Sequence, residues 1–212
     1  MDNKYFLQAY NKVITLEGGY SNYKEDRGGE TYKGIARNFY PNWDGWQIID
    51  KYKKEINFDE KLNSSQNLRK LFTELDTYLA NDNELQNLVK KFYFDNYWNK
   101  MKLDEISQAF PELAIKLFTL AVNTGTYKTG IKYLQKALNY LNRNGKEFPN
   151  LDEDGIIGEK TLSAFYHLVN TGFKEDILTV IKLLQGRHYL NLMDKHPEYR
   201  EFRGWFRRVQ CK

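Results

Sequence analysis

Between Gly18 and Gly34 the chain holds five glycines among Tyr, Asn, Asp and Thr, with no helical period. The segments on either side place apolar residues at helical spacing. Before the interval, Phe6, Tyr10, Val13 and Ile14 share one helical face, and the Gly18–Gly19 pair is a stop signal, so the first helix is expected to end at Glu17. The glycine-dense stretch itself reads as loops with a short, partly exposed hairpin. Beyond it, apolar periodicity predicts helices over Leu68 to Leu79, Leu85 to Trp98, Leu113 to Ala121 and Ile131 to Leu141. The last of these is ended by the Asn, Gly and Pro cluster of residues 142–150, and two more helices follow over Leu162 to Val169 and Ile177 to Leu192. With no repeat, low-complexity tract or long linker, the expected fold is mainly α with one small β-hairpin flap after the first helix.

A length of 212 residues suits one domain, or a domain with a small appended module. The single cysteine, Cys211, allows no intrachain disulfide, so stability must come from packing. A formal charge of +4 favours encounter with anionic polymers, for which cell walls and nucleic acids both qualify, and 16 Tyr with 4 Trp suit a ligand that offers flat faces. Met1 to Val13 carries Asp2, Lys4, Gln8 and Lys12 and lacks a signal-peptide core. No stretch approaches the ~20 apolar residues of a spanning helix. The expectation is a protein made in the cytoplasm without a Sec signal peptide and without stable membrane insertion.

Glu17 lies four residues after Val13 and seven after Tyr10, which puts it on the apolar side of its helix and at the negative end of the helix dipole. Both placements favour a protonated carboxyl, as general-acid catalysis near neutral pH requires. Taken alone, Glu17 is better explained as a solvated glutamate at the helix edge. What singles it out is its company: Gly18, Gly19 and Tyr20, then Asp26, Gly28, Gly29, Thr31, Gly34 and Ile35. Two carboxylates across a flexible loop are the arrangement of glycoside hydrolysis. Asp26 is the natural second member, and Thr31 offers a hydroxyl for a water. Whether the gap suits inversion or retention stays open at this level, and turn-making is the alternative for Asp26 and the glycines.

Residues 17–35, EGGYSNYKEDRGGETYKGI, resemble the signature of glycoside hydrolase family 108, the N-acetylmuramidases of phage endolysins and bacterial cell-wall release proteins. That resemblance implies a lysozyme-like fold, Glu17 as catalytic acid, and Asp26 and Thr31 around the same cleft. The layout is also similar to phage-type lysozymes, where the threonine falls one residue later. Arg27 stands where relatives usually carry proline, which loosens the loop and adds a charge beside Asp26. Tyr97–Trp98, Asn123-Thr124-Gly125 and Gly204-Trp205 with Arg208 extend the similarity. About residues 117–190 resemble the peptidoglycan-binding region that accompanies the family, marked by Asp154, Gly155, Gly158 and Thr161. Those four residues also read simply as turns feeding a helix.

The resemblance therefore implies a catalytic region over residues 1–110 and a helical wall-binding region over 111–212, packed as one compact unit. Peptidoglycan glycan strands are the expected partner, cut between N-acetylmuramic acid and N-acetylglucosamine, with no metal or organic cofactor. Delivery by a holin or a dedicated export system would carry the enzyme to the wall or periplasm. Tyr20, Tyr32, Tyr97, Trp98 and Asn123 are candidates for sugar contact, with core packing the competing reading, strongest for Trp98. His167, His188 and His196 lack metal spacing, and Cys211 lacks a framing histidine. The basic clusters Lys51, Lys53, Lys54 and Arg203, Arg207, Arg208 read as solvated helix faces, so nucleic acid is not expected. The rival readings are a lytic transglycosylase, which would leave anhydro-muramic ends, and a non-catalytic wall-binding or secretion-assisting protein.

Overall fold

The computed structural model describes residues 3–15, 17–23, 28–58 and 65–210. They divide into two compact units, one within residues 10–95 and the other of residues 3–9 with 96–210. None of the described helices is long and apolar enough to cross a membrane.

Helix α1 spans Lys4–Ile14. It ends three residues before the expected Glu17, and the Thr15 hydroxyl turns back to the carbonyls of Asn11 and Lys12, at 3.3 Å each. The amide of Glu17 still donates to Val13 O at 3.1 Å, so the residue is carried on one helical bond beyond the regular helix.

In the first unit a three-stranded antiparallel sheet follows, formed by β1 (Tyr20–Ser21), β2 (Thr31–Tyr32) and β3 (Ile35–Ala36). Tyr20 pairs with Tyr32 and Tyr32 with Ile35, and the three stand on one buried face. Ser21 and Thr31, paired on the opposite face, stay half-buried. Helices α2 (Gly45–Glu55), α3 (Ser65–Asn81) and α4 (Asn83–Tyr93) complete the unit. Tyr20 meets Phe58 and Phe72 edge-on, and Tyr10 meets Tyr93 the same way. Helix α2 escapes the sequence reading: it buries little beyond Trp46 and Ile49, too short an apolar signal to register.

The second unit holds α5 (Leu103–Ala109), α6 (Pro111–Asn123), α7 (Tyr127–Leu141), α8 (Glu159–Asn170), α9 (Lys174–Lys195) and α10 (Trp205–Gln210). Helix α6 is its centre, buried continuously from Leu113 to Phe118. Phe6, Trp98 and Phe118 form a cluster of edge-on contacts with centroids 5.5–5.9 Å apart. Lys116, 1% exposed, donates to Gln185 Oε1 at 2.6 Å and to the carbonyls of Arg208 and Val209 at 2.7 and 3.1 Å. A buried cation thus sits at the negative end of α10. The Asp154-to-Thr161 motif is built from turn chemistry. Asp154 Oδ1 accepts from Gln135 Nε2 and Ile156 N, Gly155 adopts φ +79° against Lys128, Gly158 precedes α8, and Thr161 is buried in its first turn.

Candidate active site

Beyond α1 the chain passes through exposed Gly18 and Gly19 into β1. A side chain at Gly19 would have to push the Asp76 carboxylate aside, since its Cβ would fall on Asp76 Oδ2. Asp76 Oδ1 accepts the Tyr20 amide at 2.6 Å, which fixes the start of the strand. Strands β2 and β3 are joined by the two residues Lys33 and Gly34, both at positive φ, +44° and +77°. Such a turn matches the strand twist of a tight hairpin, and glycine is the residue it favours. Lys33 N donates to Gly19 O at 3.3 Å and Tyr93 Oη donates to Lys33 O at 2.8 Å, so the turn is tied on both sides.

Glu17 arrives at this turn. A Cβ on Gly34 would lie 2.7 Å from Glu17 Oε2 and 2.6 Å from Tyr93 Oη, so a carboxylate oxygen and a phenol converge on a bare α-carbon. Glu17 is half-buried while Gly34 is exposed, which leaves the carboxyl at the protein surface with one side covered.

The surroundings are polar and interlocked. Lys33 Nζ donates to Gln86 Oε1 at 2.6 Å, and Gln86 Nε2 donates to Tyr32 Oη at 2.9 Å and to Leu79 O at 2.7 Å. Burial pushes the Asp76 carboxyl above its ordinary range against the opposing pull of the Tyr20 amide and Lys33. Burial likewise lowers Lys33, with Asp76 opposing. The Tyr32 and Tyr10 phenols are pushed up to about 12, each chiefly by burial. Glu30 is fully engaged, accepting from Tyr20 Oη at 2.8 Å and Lys53 Nζ at 3.0 Å, with Arg37 Nε at 2.7 Å in an ion contact that is not an aligned hydrogen bond. Arg37 also grips Asp50 through both terminal nitrogens, at 3.1 and 2.7 Å. That network holds β2 and β3 onto α2.

The model of the family described as Glycosyl hydrolase 108 matches residues 10–125, more than half of the chain. The chain belongs to glycosyl hydrolase family 108. This family 108 protein is accordingly a glycoside hydrolase, and a second family model, described as Predicted Peptidoglycan domain, matches residues 129–210. Together they make it a peptidoglycan-degrading glycosidase with a wall-binding domain, and peptidoglycan its partner. A solved structure described as that of Brucella abortus SagA matches with a TM-score of 0.50 and 22% identity over 97% of this chain and 94% of that one. The fold is mainly α and lysozyme-like, and in this chain the small sheet follows the first helix. No curated protein matches in sequence.

Of the expected site residues, the family 108 chain brings Glu17 to the hairpin that carries Thr31. The Thr31 hydroxyl donates to Gly29 O at 3.1 Å, leaving its lone pairs as acceptors on the half-buried face of the sheet. Asp26, like Arg27, lies outside the described residues. Tyr20 and Tyr32, 4% and 1% exposed, have their rings packed inside the first unit and their hydroxyls engaged. Tyr97 and Trp98 are buried in the second unit, where Trp98 Nε1 donates to Asp104 Oδ1 at 2.8 Å. None of these four rings offers an open face, and their structural role is packing. Asn123 closes α6 and is half-buried. Tyr93 and Asp76 were missed by the sequence reading. Both fall at core spacing, Tyr93 with Leu85, Val89 and Phe92, and Asp76 with Phe72, Leu75 and Leu79. A phenol and a carboxylate on an apolar helix face must find polar partners, which is the signal that could have marked them.

Proposed function

We propose that this enzyme hydrolyses the β-1,4 bond between N-acetylmuramic acid and N-acetylglucosamine, with Glu17 donating the proton to the glycosidic oxygen. The observation that carries the reading is the placement of Glu17 Oε2 in the space a Cβ on Gly34 would need, 2.7 Å from its position, which seats a half-buried carboxyl at the exposed turn. A general acid needs a carboxyl with one side shielded and the other open to the leaving oxygen. Asp26 is the second carboxylate of the pair, stabilising positive charge at the sugar or helping to activate water. Thr31 orients that water through its free lone pairs, its proton being directed to Gly29 O. The catalytic region falls within residues 1–110 and the wall-binding region within 111–212. In the cell the reading is endolysin-type lysis, with passage to the wall through a holin or a dedicated export system.

The test is digestion of purified peptidoglycan by the wild-type enzyme and by Glu17→Gln, with fragments identified by mass spectrometry and reducing ends typed. Muramic-acid ends from wild type and none from the variant are expected. Anhydro ends would move the enzyme to the lytic transglycosylases, and undiminished cleavage by the variant would remove Glu17 as the acid. Wall binding with no fragments from either protein would turn the reading to a non-catalytic scaffold.

A further inference from the structure

In the C-terminal unit, the loop after α7 and one face of α8 enclose a cavity of about 560 Å³. Sites for small ligands span roughly 300–1,000 Å³. Phe148, Pro149 and Leu151 form its loop wall, and Ser163, Ala164 and His167 its helix wall. The helix positions recur at three- and four-residue steps, so they share one face.

The loop wall is held in place without a ligand. Asn139 spans Leu151, donating to its carbonyl at 2.9 Å and accepting its amide at 2.8 Å, and Asn142 Nδ2 donates to Asn150 Oδ1 at 2.5 Å. The helix wall is braced as well. His167 Nε2 is 2.9 Å from Glu147 Oε2, and the Phe148 ring meets the imidazole edge-on at 5.8 Å. The bond to His167 and the Arg143 guanidinium at 3.2 Å hold the Glu147 carboxyl below the ordinary carboxylate range, hence ionised and paired. At the rim Glu159 and Lys160 oppose each other in sign.

The result is a mostly apolar hollow with one aromatic side chain, hydroxyl and amide groups at its edge, and charges that cancel. Stem peptides and phosphate-bearing wall polymers carry net negative charge and would call for unpaired cations. N-acetylglucosamine carries none, and presents a C–H face and an acetamido methyl to apolar surface with hydroxyls for the edge. Resting on the reading of the chain as a peptidoglycan glycosidase, we propose that this cavity is a second glycan site that holds an N-acetylated sugar of the intact strand.

The experiment uses the full chain carrying Glu17→Gln, so that strands are not consumed, and measures its co-sedimentation with glycan strands stripped of stem peptides by an amidase. Adding Phe148→Ala should weaken retention about tenfold, the effect of losing a central aromatic contact of ~1.4 kcal/mol. Phe148→Trp should restore it. Ser163→Trp, at an exposed position, should block the mouth and weaken retention without disturbing the core. On short soluble glycan fragments the enzyme with Glu17 intact should turn over equally with and without the Phe148→Ala substitution, which separates this site from the reaction itself. Retention that is indifferent to both Phe148→Ala and Ser163→Trp would overturn the proposal. So would retention that needs the stem peptides and vanishes on stripped strands.

Discussion

Replacing Gly34 by alanine probes the feature on which the reading of the site depends. Two effects follow from one methyl group. The backbone at φ +77° is left-handed, which costs an L-residue with a Cβ about 1–2 kcal/mol. For a chain of 212 residues this lowers Tm by roughly 2–8 °C. The second effect is local. Ordinary contact begins at 3.4 Å, and the new methyl would stand 2.7 Å from Glu17 Oε2, so the carboxyl must retreat by ~0.7 Å. A misplacement of about 1 Å can cost on the order of a hundredfold in rate, so kcat should fall by about 10- to 100-fold. Gly172→Ala is the matched control. Gly172 has φ +91° with nothing within 4 Å of its Cβ position, so it carries the backbone cost without the contact. The assay is release of reducing ends from purified peptidoglycan well below either Tm, beside thermal melts of both variants. A Tm loss at least as large for Gly34→Ala, whose methyl also meets Tyr93 Oη at 2.6 Å, with kcat reduced only by Gly34→Ala, is expected. If Gly34→Ala keeps the kcat of Gly172→Ala, the turn does not position Glu17 and the argument from the bare α-carbon is refuted.

Asp76→Asn keeps an oxygen to accept the Tyr20 amide while removing the charge. Because burial raises the Asp76 pKa in the folded protein, the folded state holds that proton more tightly than the unfolded one. Wild-type stability from this group is therefore present below the unfolded carboxylate pKa and lost as pH rises through the folded value. The stability of Asp76→Asn relative to wild type should grow as pH rises above the ordinary aspartate value of about 3.9, read from thermal melts. Growth in the opposite sense would mean that the ionised carboxylate is stabilised through Lys33. Lys116→Met leaves the carbonyls of Arg208 and Val209 and the Gln185 amide oxygen without their buried donor. A loss of about 1–3 kcal/mol is expected, with faster tryptic cleavage after Arg207 and Arg208, and unaltered melts and cleavage rates would refute the anchoring of the α10 carbonyls by Lys116.

The long helices were legible because their burial is periodic. Phe72, Leu75 and Leu79 write α3 into the sequence, as Ile131, Leu134 and Leu138 write α7. Helix α10 and the 3-10 turn over Pro197–Glu201 bury no residue fully, so no apolar pattern announces them. At the site, the motif drew attention to Glu17, Thr31 and the glycines, but not to what surrounds them. The tyrosines show why. Tyr20 and Tyr32 are flat, polar-tipped rings that suit a sugar groove and a core equally, and only the strand register, which pairs them on one face, sends both inward. Thr31 turns the other way for the same reason. Register is a property of the folded hairpin, fixed by the two-residue turn, and a single sequence with one glycine in that turn carries it only weakly.

The glycines themselves mean something different in the structure from what flexibility would suggest. Gly19 and Gly34 are each pressed by a carboxylate, Asp76 on one and Glu17 on the other, at distances that no Cβ could share. The carboxylate on Gly19 is spent on architecture, bonded to the Tyr20 amide and facing Lys33. That leaves Glu17 as the carboxylate set against the exposed turn. A side chain larger than hydrogen at either position would have to push a carboxylate aside, moving in one case the start of β1 and in the other the proposed acid. The two positions act as spacers of fixed size, and the bareness of the motif is a steric requirement of the two carboxylates it accommodates.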